Sequence, residues 1–419
     1  MRVLVITILL LLGAALGAQA AEARVGSCLA PATGVACHIW TGKVTFMGDG
    51  DTVYVDIAGD GRRSSVPVRI TGINANEQTV YSNVASRRRG ECHALEATAR
   101  LEQLLRRNRW KVRLYAIDPV SASGRRLKRV VATRVGGRWR DLGRILISEG
   151  HAVWLPGQRE YAWNVDYARR AERAASRQLG IWNPTYCGLG PNDGSPLKVT
   201  VNGDVRFLSE EWVRIRNLDP VNTINLGGWW VRDSALNRYV FPDWATLPPG
   251  ESLTLYVGEG TNTWTEFFWG RRKQLFGNIG PNGDGDSAFL VDPQGDIRAW
   301  VSYPCVADCT DPYQGALKVT AKPRGREYVT VTNVASFAVD LDGYRLQSRP
   351  YSYPFPPGSV LQPGEQMRVW TTGDPGEDTA LEKHWGETGP ILNDPGDSVR
   401  LSSLRGTLLD CYAYGSGSC

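Results

Sequence analysis

The chain has 419 residues and 42% of them are hydrophobic, which predicts about two to four domains and excludes a chain without hydrophobic cores. Its formal net charge of +5 hides an uneven distribution. Residues 41–186 carry 26 Lys and Arg against 14 Asp and Glu, whereas the chain from residue 187 onward carries 20 against 28. The basic half is therefore predicted to meet a polyanion such as nucleic acid. For any single arginine run, including Arg87, Arg88 and Arg89, a solvated basic surface is the alternative.

Residues 1–20 have the pattern of a secretory signal peptide. Arg2 supplies the positive end, residues 3–16 form the apolar stretch, and residues 18–20 offer a small-residue cleavage site. An uncleaved anchor is the alternative, and no later segment is apolar enough to span a bilayer. We therefore expect a secreted, extracellular or surface-associated protein without a stable membrane span after cleavage, beginning with an N-terminal extension over residues 21–40.

The cysteine content fits an oxidising compartment. An even number of cysteines in a secreted chain favours disulfides. Proximity in the sequence indicates three short loops and leaves one long-range pair, although sequence alone does not fix the connectivity. Zinc binding is the alternative interpretation, but no second Cys or His pair lies beside Cys305 and Cys309 in the sequence. The candidates are Cys28, Cys37, Cys92, Cys187, Cys305, Cys309, Cys411 and Cys419.

The first elements in chain order are strands, and helices follow. Alternating polarity predicts strands within residues 43–71, 110–117 and 127–135. Helical periodicity follows in three segments, residues 93–107, 141–149 and 164–178. This order predicts an α+β or barrel-plus-helix domain.

Polar residues at the ends of these strands form a set with one chemistry. Asp51 and Asn74 offer hard oxygen ligands for Ca²⁺. Glu77 is placed to activate water as a general base. Arg69 and Arg125 are suited to hold phosphate oxygens and to stabilise negative charge in a transition state. Together these residue types predict metal-assisted phosphodiester hydrolysis.

An ordered set of motifs within residues 41–186 resembles the staphylococcal nuclease (thermonuclease) domain. The motifs are DGDT, VRITGINANE, GECHALEA, GRRL, LISEGHAVW and LGIW. The resemblance implies an OB-like five-stranded barrel with helices, and Ca²⁺-dependent hydrolysis of DNA and RNA that leaves 3′-phosphates. It implies that Asp51 is a metal ligand, that Arg69 and Arg125 bind phosphate, and that Glu77 is the general base.

The sequence departs from that family at several positions. The family loop Asp-x-Pro-Glu is replaced by residues 74–77, Asn-Ala-Asn-Glu, so Asn74 is a neutral ligand in place of an acid. Ala75 still offers its backbone carbonyl to the metal. Ser123 stands where the family often has a tyrosine near the nucleotide. Trp154 offers a stacking face in its place, with core packing as the alternative.

The second half of the chain contains an internal repeat of about 115 residues. After a linker at residues 187–196, the motif EWVRIRN is echoed by EYVTVTN, LGGWWV by LDGYRL and GDSAFLV by GDSVRLS. Frequent turns between short strands predict two β-sandwiches, at residues 197–306 and 316–419. The repeat resembles lamin tail domains, which implies immunoglobulin-like sandwiches that bind a surface polymer or another protein.

We therefore expect a secreted Ca²⁺-dependent nuclease with two appended sandwiches. The alternative is a binding or adhesion protein that uses a nuclease fold without turnover. Because the basic segment ends at the linker, we further expect the nuclease segment to act without its tail. His93 is expected to be structural or solvent-facing rather than a ligand, and His151 falls in the motif EGHAVW, where the nuclease family tolerates many residues.

Overall fold

The computed structural model describes residues 23–78, 90–187, 196–203, 205–276, 285–306 and 309–419. The predicted signal peptide, the arginine run Arg87–Arg89 and most of the predicted linker lie outside these residues. Within them, no helix has the length and apolar character needed to cross a membrane. The described chain forms a barrel domain followed by two β-sandwiches.

The barrel domain contains ten strands and three α-helices within the described ranges. Their bounds are β1 Arg24–Ser27, β2 Ala36–Met47, β3 Thr52–Ile57, β4 Val66–Ile70, β5 Ile73–Asn74, α1 Ala94–Arg106, β6 Lys111–Ala116, β7 Ala122–Ser123, β8 Arg126–Val135, β9 Arg138–Asp141, α2 Leu142–Ser148, β10 Val153–Trp154 and α3 Asn164–Ser176.

Five of these strands close a barrel in the order β2-β3-β4-β8-β6, with β6 returning to pair with β2. Only the β4–β8 pair of this circuit is parallel. The alternation of Val53, Val55 and Ile57 places these side chains in the interior, as their period of two requires. The fold class predicted from the sequence, an OB-like barrel with helices, is confirmed.

The helices pack on the barrel through single apolar faces. In α1, Leu101, Leu104 and Leu105 are buried, at the spacing of one helix face. The α2 helix begins after Asp141, whose carboxylate accepts a hydrogen bond from the backbone N–H of Arg144 and caps the first turn.

The first sandwich consists of two four-stranded sheets and a two-stranded ladder. Its strands are β11 Leu197–Asn202, β12 Trp212–Asn217, β13 Ile224–Asn225, β14 Trp230–Asp233, β15 Arg238–Val240, β16 Thr246–Leu247, β17 Ser252–Tyr256, β18 Glu266–Phe268, β19 Asp286–Val291 and β20 Ile297–Tyr303.

The second sandwich has the same strand order. Its strands are β21 Leu317–Lys322, β22 Tyr328–Asn333, β23 Val339–Asp340, β24 Tyr344–Ser348, β25 Tyr351–Pro354, β26 Val360–Leu361, β27 Gln366–Thr372, β28 Glu382–Glu387, β29 Gly396–Ser403 and β30 Leu408–Gly415.

The sequence repeat has a structural cause that is the same in both sandwiches. The buried carboxylates of Glu211 and Glu327 each accept hydrogen bonds from two consecutive backbone N–H groups of a later loop. The amides of Asn217 and Asn333 each donate to loop carbonyls. The motif E-x5-N therefore satisfies buried backbone groups in each copy.

The barrel and the first sandwich share one hydrophobic core. Phe289 and Val291 of β19 pack with the barrel residues, whereas Ala288 and Leu290 point into the sandwich. Trp182 of the barrel domain packs in a tilted arrangement against Phe289 and Trp300, at 5.8 Å and 4.9 Å between ring centroids. This contact argues against the expectation of a nuclease segment that is independent of its tail.

All eight cysteines are paired in disulfides. Three disulfides close the short loops that proximity indicated, Cys28–Cys37, Cys305–Cys309 and Cys411–Cys419. The fourth, Cys92–Cys187, joins the start of α1 to the end of the barrel domain. Thiolate ligation of zinc is thereby excluded for these residues.

Candidate functional site

The turn before β3 places two acids at the end of the barrel. The carboxylate of Asp49 accepts a hydrogen bond from the backbone N–H of Asp51 at 3.0 Å and fixes the turn. Asp51 is 1% exposed, and its carboxylate faces inward. The neighbouring residue Thr52 pairs with Arg69 on β4, so the strand register brings Asp51 beside the arginine.

The guanidinium of Arg69 joins two of the predicted metal ligands. Its Nη1 lies 2.7 Å from Oδ1 of Asp51, and its Nη2 donates to Oδ1 of Asn74. The second carboxylate oxygen of Asp51 accepts the N–H of Ala75 at 2.8 Å. Burial raises the pKa of Asp51 well above its usual value, and the charge of Arg69 opposes this shift.

Glu77 lies at the end of the same segment and is half-buried. Its backbone N–H donates to the carboxylate of Glu91 at 2.9 Å. Burial raises the pKa of Glu77, the charge of Asp49 adds to the rise, and the positive charges of Arg69 and Arg126 oppose it. A carboxylate of raised pKa is a stronger base than an ordinary one, as proton abstraction from water requires.

The hairpin between β7 and β8 carries Arg125, the other predicted phosphate-binding arginine, and Ser123, which stands at the family's tyrosine position near the nucleotide. Ser123 and Arg125 are exposed on either side of Gly124, which has a φ of 59° that favours glycine. Leu127 pairs with Val68 of β4, so this hairpin extends the strand beside Arg69. The hairpin therefore presents Arg125 to solvent at the start of the strand that pairs with β4.

Trp154 requires a correction. It is 2% exposed and packs in the barrel core, so its ring has no free face for a nucleic-acid base. Its strand β10 pairs with β5 and holds Asn74 opposite Val153. Core packing, the alternative considered from the sequence, explains this tryptophan.

A cavity of about 280 Å³ lies next to Arg69. Its walls combine cationic side chains with one carboxylate, that of Glu160, and with apolar groups. The lining residues are Arg69, Ile70, Thr71, Gly72, Ser121, Ala122, Lys128, Leu155, Pro156, Gly157, Gln158, Arg159 and Glu160.

The donor set is compatible with Ca²⁺ in its chemistry but supplies few charges. One buried carboxylate, Asp51, and the amide oxygen of Asn74 are hard donors, and both accept hydrogen bonds from Arg69. Among the residues that the structure describes, no group of three or more His, Cys, Asp and Glu side chains is placed to hold a metal. A bound Ca²⁺ therefore needs further oxygens from carbonyl groups, water or a substrate phosphate.

The family model of the lamin tail domain matches residues 191–305 and 313–416, which together make up more than half of the chain. The chain belongs to the lamin tail domain family. The two matches coincide with the two sandwiches and confirm the resemblance of the repeat. A search of curated proteins gave no match.

The first lamin tail domain contributes residues to the site that sequence patterns did not reveal. The backbone carbonyl of Ser234 accepts the Nδ2 of Asn74 at 2.8 Å. The guanidinium of Arg232 donates to Oδ1 of Asn76 at 3.1 Å and lies 3.8 Å from Glu91. The repeat contains one sequence signal for a contact surface on the first copy. Phe289 and Val291 are apolar there, whereas the equivalent residues of the second copy are Arg400 and Ser402.

A histidine pair lies behind the site at the start of α1. Nε2 of His93 is 2.9 Å from Nδ1 of His151, and the ring of Tyr186 packs edge-on against His93. Burial and the neighbouring His151 lower the pKa of His93 to about 4. Burial also lowers the pKa of His151, against the opposing charge of Glu149. Both rings thus act as neutral packing groups.

We expect the free energy of unfolding to depend on this pair below pH 6.5. Because the folded-state pKa of His93 lies below the usual value near 6.5, protonation favours the unfolded chain. The stability that neutral His93 contributes is therefore fully present above pH 6.5 and is lost as the pH falls towards 4. Denaturant unfolding across this range should therefore show a smaller loss of stability for His93→Gln than for the parent. Equal slopes for His93→Gln and the parent would contradict the assignment.

Proposed function

We propose that this protein is a secreted Ca²⁺-dependent nuclease that hydrolyses phosphodiester bonds of DNA and RNA and leaves 3′-phosphates. The proposal rests on the cluster in which Asp51, Arg69, Asn74 and Glu77 meet at one end of an OB-like barrel. The Arg125 hairpin on the adjacent strand and the basic balance of residues 41–186 support it. The order of motifs that resembles staphylococcal nuclease assigns the same residues.

In this proposal each side chain has one task. Glu77 takes a proton from the water that attacks phosphorus. The bond from phosphorus to the 5′ oxygen breaks, the phosphate stays on the 3′ oxygen, and the leaving 5′ oxygen takes up a proton from solvent. Arg69 and Arg125 hold the phosphate oxygens and stabilise the charge that develops on them in the transition state. For Arg69 this requires its guanidinium to exchange the oxygens of Asp51 and Asn74 for those of the substrate.

Asp51, the amide oxygen of Asn74 and the carbonyl of Ala75 would hold the metal. Bound Ca²⁺ supplies positive charge at the phosphate and polarises it for attack. Asp51 is the only carboxylate of this set, and because Arg69 already pairs with it, a metal at this position would have to displace that arginine.

The lamin tail domains provide the alternative function. They indicate binding of a protein or polymer, so the barrel would in that case hold nucleic acid or a surface polymer without cleaving it. The four disulfides support an extracellular location for either function.

Digestion and binding assays separate the two functions. Full-length protein incubated with plasmid DNA or with RNA is expected to degrade both in the presence of Ca²⁺. In EGTA, the same protein should retard a labelled oligonucleotide in a gel without shortening it. Retardation without degradation in both buffers would establish the binding alternative.

We expect Asn74→Asp to change metal dependence and stability in opposite senses. The added negative charge should lower the Ca²⁺ concentration for half-maximal cleavage, which for the parent should lie in the millimolar range on the order of weak extracellular sites. A carboxylate cannot donate to the carbonyl of Ser234, so the variant should lose about 1–3 kcal/mol of stability.

The exposed residue Asn225 provides the control for this substitution. Its Oδ1 accepts the N–H of Gly227, a role that an aspartate keeps. Asn225→Asp should therefore leave both the Ca²⁺ titration and the thermal midpoint unchanged. Coincident Ca²⁺ curves for Asn74→Asp and the parent would show that Asn74 is not a ligand.

A further inference from the structure

We propose that the first lamin tail domain is a working part of the nuclease site, and that Arg232 is a positioning residue that acts on residues 74–77. The inference rests on the proposed function, because Arg232 can affect catalysis only if residues 74–77 belong to a nuclease site. The contacts that carry it are those between the domains.

Arg232 lies on the outer face of the first lamin tail domain, where that face meets the barrel. It is 4% exposed, and its guanidinium carbon lies 5.6 Å from the ring centre of Phe289, its cross-strand partner. A buried cation is costly unless polar groups receive it. The groups that receive this one, Asn76 and Glu91, both belong to the barrel domain.

These two recipients flank the proposed general base. Asn76 precedes Glu77 in the chain, and its Nδ2 donates to the carbonyl of Cys92 at 2.7 Å. Glu91 accepts the backbone N–H of Glu77. Arg232 therefore contacts both neighbours of the Glu77 backbone. One is the side chain of Asn76, the preceding residue, and the other is the carboxylate of Glu91, which accepts the N–H of Glu77.

A second contact fixes the beginning of the same segment. The carbonyl of Ser234 that accepts Asn74 is itself held, because the N–H of Ser234 donates to the buried carboxylate of Asp286 at 3.2 Å. Asn74 thus uses both ends of its amide: the oxygen receives Arg69 and the nitrogen reaches the tail domain. An aspartate offers no donor for the second contact.

One contact surface explains both departures of residues 74–77 from the Asp-x-Pro-Glu pattern, which are Asn74 in place of the acid and Asn76 in place of the proline. Asn74 and Asn76 are the two residues of the segment whose side chains contact the first lamin tail domain in hydrogen bonds. The amide at each position provides a group that the acid or the proline of the family pattern lacks. The segment is built to be held by a neighbouring domain.

Kinetics and hydrogen exchange on the full-length protein test the inference. Displacing a catalytic group by about 1 Å can cost about a hundredfold in rate, so Arg232→Ala should lower kcat by at least about tenfold with little change in KM. Exchange of the backbone amides of residues 74–77 should become faster. Asn76→Ala should lower kcat less in the Arg232→Ala background than in the parent, because the contact between the two side chains is already lost there.

Arg214 is the matched control. It is 8% exposed in the same domain, lies 4.2 Å from the ring centre of Trp212 and pairs with Asp342 of the second lamin tail domain. Arg214→Ala should lower stability without changing kcat or the exchange of residues 74–77. If Arg232→Ala is poorly folded, Asn76→Ala removes the same contact, together with the one to the carbonyl of Cys92, and should also lower kcat.

Three outcomes overturn the inference. An increase in kcat for Arg232→Ala would make the tail an inhibitor of the site. Unchanged kcat together with unchanged exchange would make the contact passive, and an equal effect of Arg214→Ala would make it one of general stability. A parent without nuclease activity would refute the proposed function but not the positioning, which the exchange measurement then decides alone.

Discussion

Glu77→Gln should lower the turnover number by at least about a hundredfold while leaving the affinity for DNA nearly unchanged. A general base typically contributes about 10²–10⁴-fold, and glutamine keeps the size of the side chain while losing its basicity. The backbone N–H of Glu77 donates to Glu91 whichever side chain is present, so the fold of the segment should be retained. Single-turnover cleavage of a labelled oligonucleotide and a binding titration in EGTA measure the two quantities separately.

The partly exposed carboxylate of Glu102 on α1 supplies the comparison. It pairs with Arg106 one helical turn away. Glu102→Gln should cleave at the parental rate, since surface ion pairs contribute little. A Glu77→Gln variant as fast as the parent would remove Glu77 from the mechanism.

Trp182→Ala should destabilise the whole protein by about 3–5 kcal/mol, the usual cost of removing a large buried aromatic side chain. Trp182 is 5% exposed and lies between the barrel and the first lamin tail domain, in contact with Phe289 and Trp300. Because the lost contacts join two domains, the variant should also show earlier unfolding of the barrel in a denaturant titration.

Trp264 offers a control of the same residue type. It is 70% exposed on the first lamin tail domain, so Trp264→Ala should change the free energy of unfolding by less than about 0.5 kcal/mol. If Trp182→Ala is as stable as the parent, the shared core does not contribute to folding. The barrel would then be the independent domain that the sequence indicated.

The individual elements were accessible from the sequence because their signals are local. The period of two in Val53, Val55 and Ile57 and the helical spacing of Leu101 and Leu105 depend only on which face is buried. The three predicted helices correspond to α1, α2 and α3. The repeat was equally visible, because each copy needs its own glutamate and asparagine for buried loop groups.

The contact between domains was harder to predict, because it depends on the outer face of a sheet. In β19 every residue is buried, and its apolar residues are continuous in the sequence, as in strands covered on both faces. The equivalent strand of the second copy carries Arg400 and Ser402 in place of Phe289 and Val291. This difference indicates which of the two sandwiches packs against another surface, but it does not indicate that the surface belongs to the barrel.

The site was predicted as a set of residue types and not as a set of contacts. The β3–β4 register brings Asp51 to Arg69, and no spacing in the sequence encodes that pairing. The roles of Arg232 and Ser234 depend on the docking of a separate domain, so motifs within the barrel segment do not include them. Trp154 was ambiguous because an aromatic side chain fits a core and a binding surface equally well.

The most direct measurement is the cleavage of a 5′-labelled oligonucleotide by the full-length protein, with Ca²⁺ or with EGTA, followed by analysis of the new ends. For the proposed nuclease we predict cleavage with Ca²⁺ that stops in EGTA, resumes when Ca²⁺ is restored, and leaves 3′-phosphates. We also predict that Glu77→Gln removes this cleavage. Intact oligonucleotide with Ca²⁺, or cleavage that is insensitive to both EGTA and Glu77→Gln, would contradict the central claim.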